Sequence, residues 1–148
     1  TSHLGENKLS FIKTSKGKNQ WTVVKEIKAS GSGGGALFVK SHLKSKHLWV
    51  DRTLNPDPVL NSAVDVFDTN TLELIKTLPA PEGVNGRAVH FEYNEKGDEV
   101  WVSYFMGDKS AIVIYNDKTL KVKKIIQGDW VQNPTGKFNI YNTTHDIY

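Results

Sequence analysis

The chain has 148 residues, of which 38% are hydrophobic and 24% are charged, and its formal net charge is +3. It contains no cysteine, which excludes disulfides, thiolate chemistry and covalent attachment of a c-type haem within these residues. No apolar run reaches the roughly 18 residues that cross a bilayer, so no membrane partner is expected. Lysines cluster at residues 13–18, 40–46 and 118–124, where exposed turns and strand edges explain them better than a nucleic-acid surface.

Residues 1–30 predict the last part of a β-sheet. Short apolar strands cover residues 10–13 and 21–27, and a turn rich in lysine, glycine and asparagine separates them. Glycine and serine then dominate residues 29–35. By composition alone, that run is either a flexible linker or a loop that passes close to a bulky group.

The following segments repeat one four-strand pattern. In residues 35–78 the strands read GALFVKS, LWVD, AVDVFD and TLELIKTL, and in residues 87–126 they read RAVHFEY, VWVS, AIVIYN and TLKVKKII. A further copy of the first strand, GKFNIYN, occupies residues 136–142. Phe38 and His90 are 52 positions apart (90 − 38), and His90 and Asn139 are 49 apart (139 − 90). A period near 50 with four short strands predicts the blades of a β-propeller.

We therefore expect an all-β fold made of four-stranded antiparallel blades. The predicted boundaries are a partial blade at residues 1–30, blades at 35–78 and 88–126, and a closing strand at 135–148. Because a closed ring needs at least about four blades, we expect the chain to be part of a longer protein. The glycine run lies between the outer strand of one blade and the inner strand of the next, where the backbone can approach a ligand at the ring centre.

Strand alternation selects a candidate binding surface. In the inner strands, the apolar residues on either side of Phe38, His90 and Asn139 are assigned to the packing between blades. These three side chains then share the opposite face, towards the central channel. An aromatic ring, an imidazole and an amide suit a ligand surface, and the alternative is that they only line a wet channel.

Other chemistry finds little support in the sequence. The chain has no Gly-x-Ser-x-Gly motif and no cysteine nucleophile. Asp51, Asn55 and Asp57 invite a calcium site, but Pro56 stands where an EF-hand loop needs glycine. We predict neither a catalytic nor a metal-binding residue in this chain.

Several motifs together resemble the C-terminal part of the cytochrome cd₁ nitrite reductases. They are TSHLG at residues 1–5, SGSGGGALF at 30–38, HLWVD at 47–51, EYNEKGDEVW at 92–101, PTGKFN at 134–139 and HDIY at 145–148. The resemblance covers essentially the whole chain, and the closing motif is the most specific part of it.

That resemblance implies a fragment of an eight-bladed propeller that holds haem d₁. It also implies a periplasmic homodimer that reduces nitrite to nitric oxide in denitrification, with an N-terminal domain that carries haem c. The electron donor would be a soluble protein such as a c-type cytochrome or a cupredoxin. The iron ligand and the histidines that handle the substrate would lie upstream of this chain.

The same resemblance implies cofactor-binding roles for four residues. Phe38 matches an aromatic residue that packs by the haem, and Thr135 matches a threonine near the carboxylate-bearing edge. His90 stands where the family is expected to have a glutamine that contacts the macrocycle, and an imidazole can still donate one hydrogen bond. Arg87 is a nearby cation that could neutralise a haem carboxylate.

Two other functional hypotheses stay open. The departure at His90 is compatible with a d₁-haem biosynthesis protein built on the same propeller. A propeller without any cofactor would instead be a non-catalytic binding module. We expect the fragment alone to be inactive, because it carries none of the iron ligands that the resemblance implies.

Overall fold

The computed structural model describes residues 1–131 and 138–140, and β-strands dominate that part of the chain. The strands are β1 Lys8–Ile12, β2 Val23–Lys28, β3 Val39–Ser41, β4 His47–Asp51, β5 Val64–Asp68, β6 Leu74–Leu78, β7 Arg87–Tyr93, β8 Glu99–Phe105, β9 Ala111–Asn116 and β10 Val122–Ile126. A one-turn helix, α1, covers Pro58–Asn61, and a 3-10 helix covers Asp129–Val131. None of the helices in these residues is long and apolar enough to cross a membrane.

The described strands form three antiparallel sheets. The hairpin sheet contains β1 and β2, the first four-stranded sheet has the order β3-β4-β5-β6, and the second has the order β7-β8-β9-β10. Each strand of a four-stranded sheet therefore pairs with its neighbours in sequence. This confirms the expected all-β class with four-stranded antiparallel sheets. The blade boundaries and the number of blades in a complete ring stay predictions.

The first four-stranded sheet is buried on both faces. Trp49 and Val50 are adjacent in β4, so their side chains point to opposite faces, and neither has exposed surface. Trp49 belongs to the core shared with the second four-stranded sheet, where its ring centroid lies 6.3 Å from that of Phe91. Val50 packs with Leu9 in the core shared with the hairpin sheet. The sheets therefore stack side by side, as neighbouring propeller blades do.

A buried carboxylate also ties the two four-stranded sheets together. Asp117 accepts hydrogen bonds from Trp49 Nε1 at 3.0 Å, Tyr93 OH at 2.8 Å and Ser45 Oγ at 2.7 Å. Burial is the main cause that raises the pKa of Tyr93 far above its usual range, so its hydroxyl stays a donor at neutral pH. These bonds fix how the second sheet sits on the first.

The last hairpin of each four-stranded sheet uses the same turn. Leu72 and Leu120 have φ values of +62° and +56°, and their amides donate to the carbonyl oxygens of Asp68 and Asn116. The side chains of Asp68 and Asn116 each accept a further bond from the amide of the threonine before the leucine. Short polar side chains that bond to the following backbone are typical of such turns.

Residues 52–61, which connect β4 to β5, contain helix α1. The side chain of Asp57 accepts a hydrogen bond from the amide of Val59 at 2.8 Å and acts as the N-cap. Pro58 begins the helix, where the missing N–H is not needed. Within the described part of the chain, no group of three or more His, Cys, Asp or Glu side chains could hold a metal ion.

The predicted closing strand at residues 135–148 lies mostly outside the described residues. The structure describes only residues 138–140 of that segment, and these do not form a strand. The closing strand therefore stays a prediction.

Candidate functional site

Two of the rings expected on one surface do lie together. Phe38 precedes β3 and His90 belongs to β7, and their ring centroids are 5.5 Å apart with the planes at 86°. Edge-to-face contacts of this kind are favourable between aromatic rings. Phe38 packs against the core between the two four-stranded sheets, and His90 is only 2% exposed. The candidate site therefore lies where the inner strands of both sheets meet.

The backbone at His90 departs from a regular strand. Val89 pairs with Ser103 and Phe91 pairs with Val102, so His90 is the extra residue of a β-bulge. Its φ is +57°, in the left-handed region that few residues other than glycine adopt. Strained backbone of this kind concentrates at functional sites. The bulge therefore supports a special role for His90.

The imidazole of His90 has a defined proton position. Its Nε2 lies 3.0 Å from the carbonyl oxygen of Phe138, and because a carbonyl can only accept, Nε2 carries a proton. Glu92 Oε1 is 3.2 Å from the same nitrogen but makes no hydrogen bond with the described residues. Glu92 is 2% exposed, and its other oxygen lies 3.7 Å from Lys40 Nζ. An ion pair is therefore buried beside the imidazole.

The third copy of the inner strand reaches this site through Phe138 and not through Asn139. The ring of Phe138 lies 5.4 Å from that of His90, with the planes at 81°, whereas Asn139 is exposed. His90 is thus enclosed between Phe38 and Phe138 and does not line an open wall. Thr135 lies outside the described residues, and its proposed contact stays a prediction.

Arg87 begins β7, the strand that also carries His90, and lines an open cleft. Its Nη1 donates to the carbonyl oxygen of Thr53 at 2.8 Å, which joins the second four-stranded sheet to the loop after β4. The cleft has a volume of about 390 Å³, and its wall includes Asn61, Asn85 and Met106. A guanidinium binds carboxylates through paired hydrogen bonds, so Arg87 is suited to hold an anionic group there.

Sequence reasoning missed Asp51 as part of this site. The residue ends β4 with no exposed surface, and its Oδ1 accepts hydrogen bonds from the amides of Leu37 at 2.7 Å and Phe38 at 3.1 Å. Burial raises the pKa of Asp51 to about 7, although the amides of Leu37, Phe38 and His90 act in the opposite direction. The available signal was an aspartate at a position where the next repeat has Ser103.

The glycine run is held by buried side chains of the chain itself. Arg52 is 1% exposed and donates to backbone carbonyls within residues 30–33, while Asn55 donates to carbonyls within residues 32–34. Gly35 has a φ of +101°, and a Cβ there would lie 2.2 Å from the backbone nitrogen of Asn55. The run is therefore an ordered loop in which this glycine allows a close approach to Asn55. Its contact with a ligand stays a prediction.

Comparison with known families places these residues in context. The family described as Cytochrome D1 heme domain matches residues 1–143. The chain belongs to this family. The junction of Phe38, His90 and Phe138 is therefore a feature of a d₁ haem domain.

Relatives of this d₁ haem domain include a nitrite reductase from Stutzerimonas stutzeri. It is 44% identical over 167 residues, which cover 100% of this chain and 29% of the relative. The protein NirF from Pseudomonas aeruginosa is 31% identical over 97 residues, which cover 66% of this chain and 22% of NirF. The chain thus spans less than a third of the length of either relative.

A solved structure shares the arrangement of the sheets. It is dihydro-haem d₁ dehydrogenase NirN in complex with DHE, and it matches with a TM-score of 0.68 and 25% identity. The match covers 84% of this chain and 24% of the NirN chain. The stacked antiparallel sheets are therefore the fold of a haem d₁ protein.

Proposed function

We propose that this chain forms part of the haem d₁ pocket of a nitrite reductase that reduces nitrite to nitric oxide. The observation that carries the proposal is the 44% identity to the Stutzerimonas stutzeri enzyme across the whole chain. Identity to NirF and NirN is lower, at 31% and 25%. The full-length protein would then act in denitrification.

The side chains at the junction suit an anionic, flat cofactor. Phe38 and Phe138 provide aromatic rings beside His90, and Arg87 provides a guanidinium at the neighbouring cleft. Haem d₁, when bound, supplies the redox chemistry at its iron. The residues of this chain would bind and orient the ring, with Phe38 packing on it and Arg87 pairing with a carboxylate. His90 would hold Phe138 beside the ring through its hydrogen bond to the Phe138 carbonyl oxygen, and Thr135 would contribute a hydrogen bond to the cofactor.

The remaining parts of the proposal concern the full-length protein. We expect an additional domain with haem c, a homodimer, a periplasmic location, and a soluble electron donor such as a c-type cytochrome or a cupredoxin. A Cys-x-x-Cys-His motif elsewhere in the full-length sequence would support the haem c domain. Sedimentation of the full-length protein would test the dimer.

The decisive experiment uses the full-length protein that contains this chain. We expect added haem d₁ to change its visible spectrum, and the loaded protein to form nitric oxide from nitrite with a reduced c-type cytochrome. The Arg87→Gln variant should bind haem d₁ about 10- to 100-fold more weakly, because one charge-assisted contact is lost. Lys109→Gln is the matched control, since Lys109 is an exposed cation outside the cleft wall.

A second candidate is a protein of d₁-haem biosynthesis. The matches to NirF and to the NirN structure favour it. Such a protein would bind the d₁ macrocycle without turning over nitrite. If the full-length protein oxidised dihydro-haem d₁ and formed no nitric oxide, the reductase proposal would be wrong and a NirN-like activity would take its place. An unchanged visible spectrum would contradict both proposals and favour a binding module.

A further inference from the structure

The fold of a blade does not require a buried carboxylate at the position of Asp51. Asp51 has no exposed surface, and its Oδ2 makes no hydrogen bond of normal geometry with the described residues, although the amides of His90 and Thr53 act to lower its pKa. In the second four-stranded sheet the repeat places Ser103 at this position, where it is 3% exposed. A small neutral side chain therefore satisfies the same position of a blade. Since a buried, incompletely bonded carboxylate costs free energy, Asp51 calls for a further reason.

The hydrogen bonds of Asp51 converge on Phe38. Its Oδ1 accepts from the amide of Phe38 at 3.1 Å, and its own amide donates to the carbonyl oxygen of Phe38 at 3.2 Å. The amide of Leu37 also donates to Oδ1, at 2.7 Å. Phe38 is thus held by both of its backbone polar groups, and its ring faces His90 at 5.5 Å. A change at the carboxyl group of Asp51 therefore reaches the ring contact directly.

Several ionisable groups lie next to Asp51 in the chain or on the neighbouring strands β3 and β7. Arg52 follows it in the chain but is directed to residues 30–33 and to Asp65, which lies 3.8 Å away. The others are His90 and Glu92 on β7, Lys40 on β3, and Arg87, which contacts Thr53. Burial is the largest cause that raises the pKa of Asp51 to about 7. Its charge therefore changes close to neutral pH.

We propose that Asp51 is a positioning residue of the cofactor pocket, which fixes Phe38 against His90 and loosens that fixation when its carboxyl group takes up a proton. The identity of the ligand, haem d₁, rests on the proposed function. An ionised carboxylate accepts strong, charge-assisted bonds from the amides of Leu37 and Phe38, and a neutral acid accepts weaker ones. The packing of Phe38 on the cofactor then depends on pH.

The test compares Asp51→Asn and Asp51→Ser with the wild type in the full-length protein. Serine copies the side chain that the second sheet has at this position. Asp57→Asn is the control, because it removes the charge of an exposed aspartate that caps α1. Hydrogen exchange of peptides that cover residues 37–38 is measured without cofactor at pH 6 and pH 8. Visible spectra of the protein loaded with haem d₁ are recorded over the same range.

We expect the protection factors at residues 37–38 to rise about three- to tenfold from pH 6 to pH 8 in the wild type and in Asp57→Asn, because the local opening breaks the amide bonds to Oδ1 while Asp51 stays buried, unlike global unfolding. They should stay constant in Asp51→Asn and Asp51→Ser. The absorption bands of the loaded protein should shift with pH in the wild type and not in the two Asp51 variants. The proposal would be overturned if the protection of the wild type did not change with pH. It would also be overturned if the protection of Asp51→Asn and Asp51→Ser rose with pH as the wild type is expected to do.

Hydrogen exchange and visible spectra together distinguish a failure of this inference from a failure of the proposed function. If haem d₁ does not bind, the proposed function fails, while exchange without cofactor still decides the role of Asp51. If exchange changes as expected but the spectra of wild type and variants respond alike to pH, the link from Asp51 to the cofactor is wrong. Should asparagine prevent folding, the serine variant carries the same test.

Discussion

The two four-stranded sheets are alike in their outer strands and differ in their inner ones. Both end with the same hairpin turn, at Leu72 and at Leu120. By contrast, β7 runs for seven residues with a bulge at His90, whereas β3 has three residues and begins after Phe38. The backbone before β3 is bonded to the side chain of Asp51 instead of to a full strand.

This difference separates the scaffold from the site. The outer strands repeat because each sheet must close with a hairpin, and a short polar side chain bonds to the backbone of that turn in both sheets. The inner strands meet at the junction of the two sheets, and there each one breaks the regular pattern, through a bulge or through a buried carboxylate. Departures from local rules tend to mark functional positions. The scaffold should therefore respond to mutation through stability, and the junction through ligand binding and pH.

The largest effect should come from the buried tie between the sheets. Asp117→Ala removes the carboxylate that accepts from the buried donors of Trp49 and Tyr93, and leaves the Trp49 indole N–H without its acceptor. We expect a loss of about 3–5 kcal/mol in the free energy of unfolding, measured by denaturant titration of the full-length protein. Lys118→Ala changes an exposed neighbour and should alter stability by less than about 0.5 kcal/mol. A loss below about 1 kcal/mol for Asp117→Ala would show that the sheets do not depend on this carboxylate.

A pH-dependent effect should distinguish Asp51 from Ser103. The pKa of Asp51 is raised from 3.8 to about 7 in the folded state, so folding takes up a proton between these values and stability falls as pH rises through them. Asp51→Asn should therefore be more stable than the wild type at pH 8, by on the order of a few kcal/mol, and similar to it at pH 4. Thermal unfolding across this pH range measures the difference. If the stability of the wild type and of Asp51→Asn changed with pH in the same way, the raised pKa of Asp51 would be contradicted.

A smaller effect, on the affinity for haem d₁, is expected from substitution of His90, whose ring is enclosed by Phe38 and Phe138. His90→Gln retains a side-chain donor for the carbonyl oxygen of Phe138, whereas His90→Ala removes it. We expect His90→Ala to weaken haem d₁ binding by about tenfold and His90→Gln by less than about threefold. Spectroscopic titration with haem d₁ measures both affinities. Equal losses in the two variants would mean that ring packing, and not the hydrogen bond, is the contribution of His90.

The smallest effect should come from an ion pair on the outer strand β10. Lys123 contacts Glu99, a salt bridge that raises the pKa of Lys123 through its side-chain hydrogen bond. Exposed pairs of this kind contribute little and are screened by salt. We expect Lys123→Gln to leave the unfolding temperature nearly unchanged, with no difference at high salt from the control Lys121→Gln. A clear, salt-independent loss would show that outer strands contribute more than the comparison of the sheets implies.

Much of the scaffold could be predicted from the sequence. The repeat of RAVHFEY on GALFVKS indicated the inner strands, and TLELIKTL and TLKVKKII indicated the last strands. Those last strands begin later than predicted, because Leu72 and Leu120 belong to the turns before them. The meeting of Phe38 and His90 also followed from that alignment. The choice of Asn139 over Phe138 did not hold, because alternation applies to an extended strand and residues 138–140 do not form one.

The sequence by itself determined the strands and their order. These depend on the alternation of apolar residues and on turn residues that act within a few positions of one another. Only the tertiary structure decided that Asp51 holds Phe38 and that Phe38 and Phe138 enclose His90. Those contacts join segments up to about 50 positions apart, and they follow from how the sheets stack and where one strand bulges, which no local pattern records.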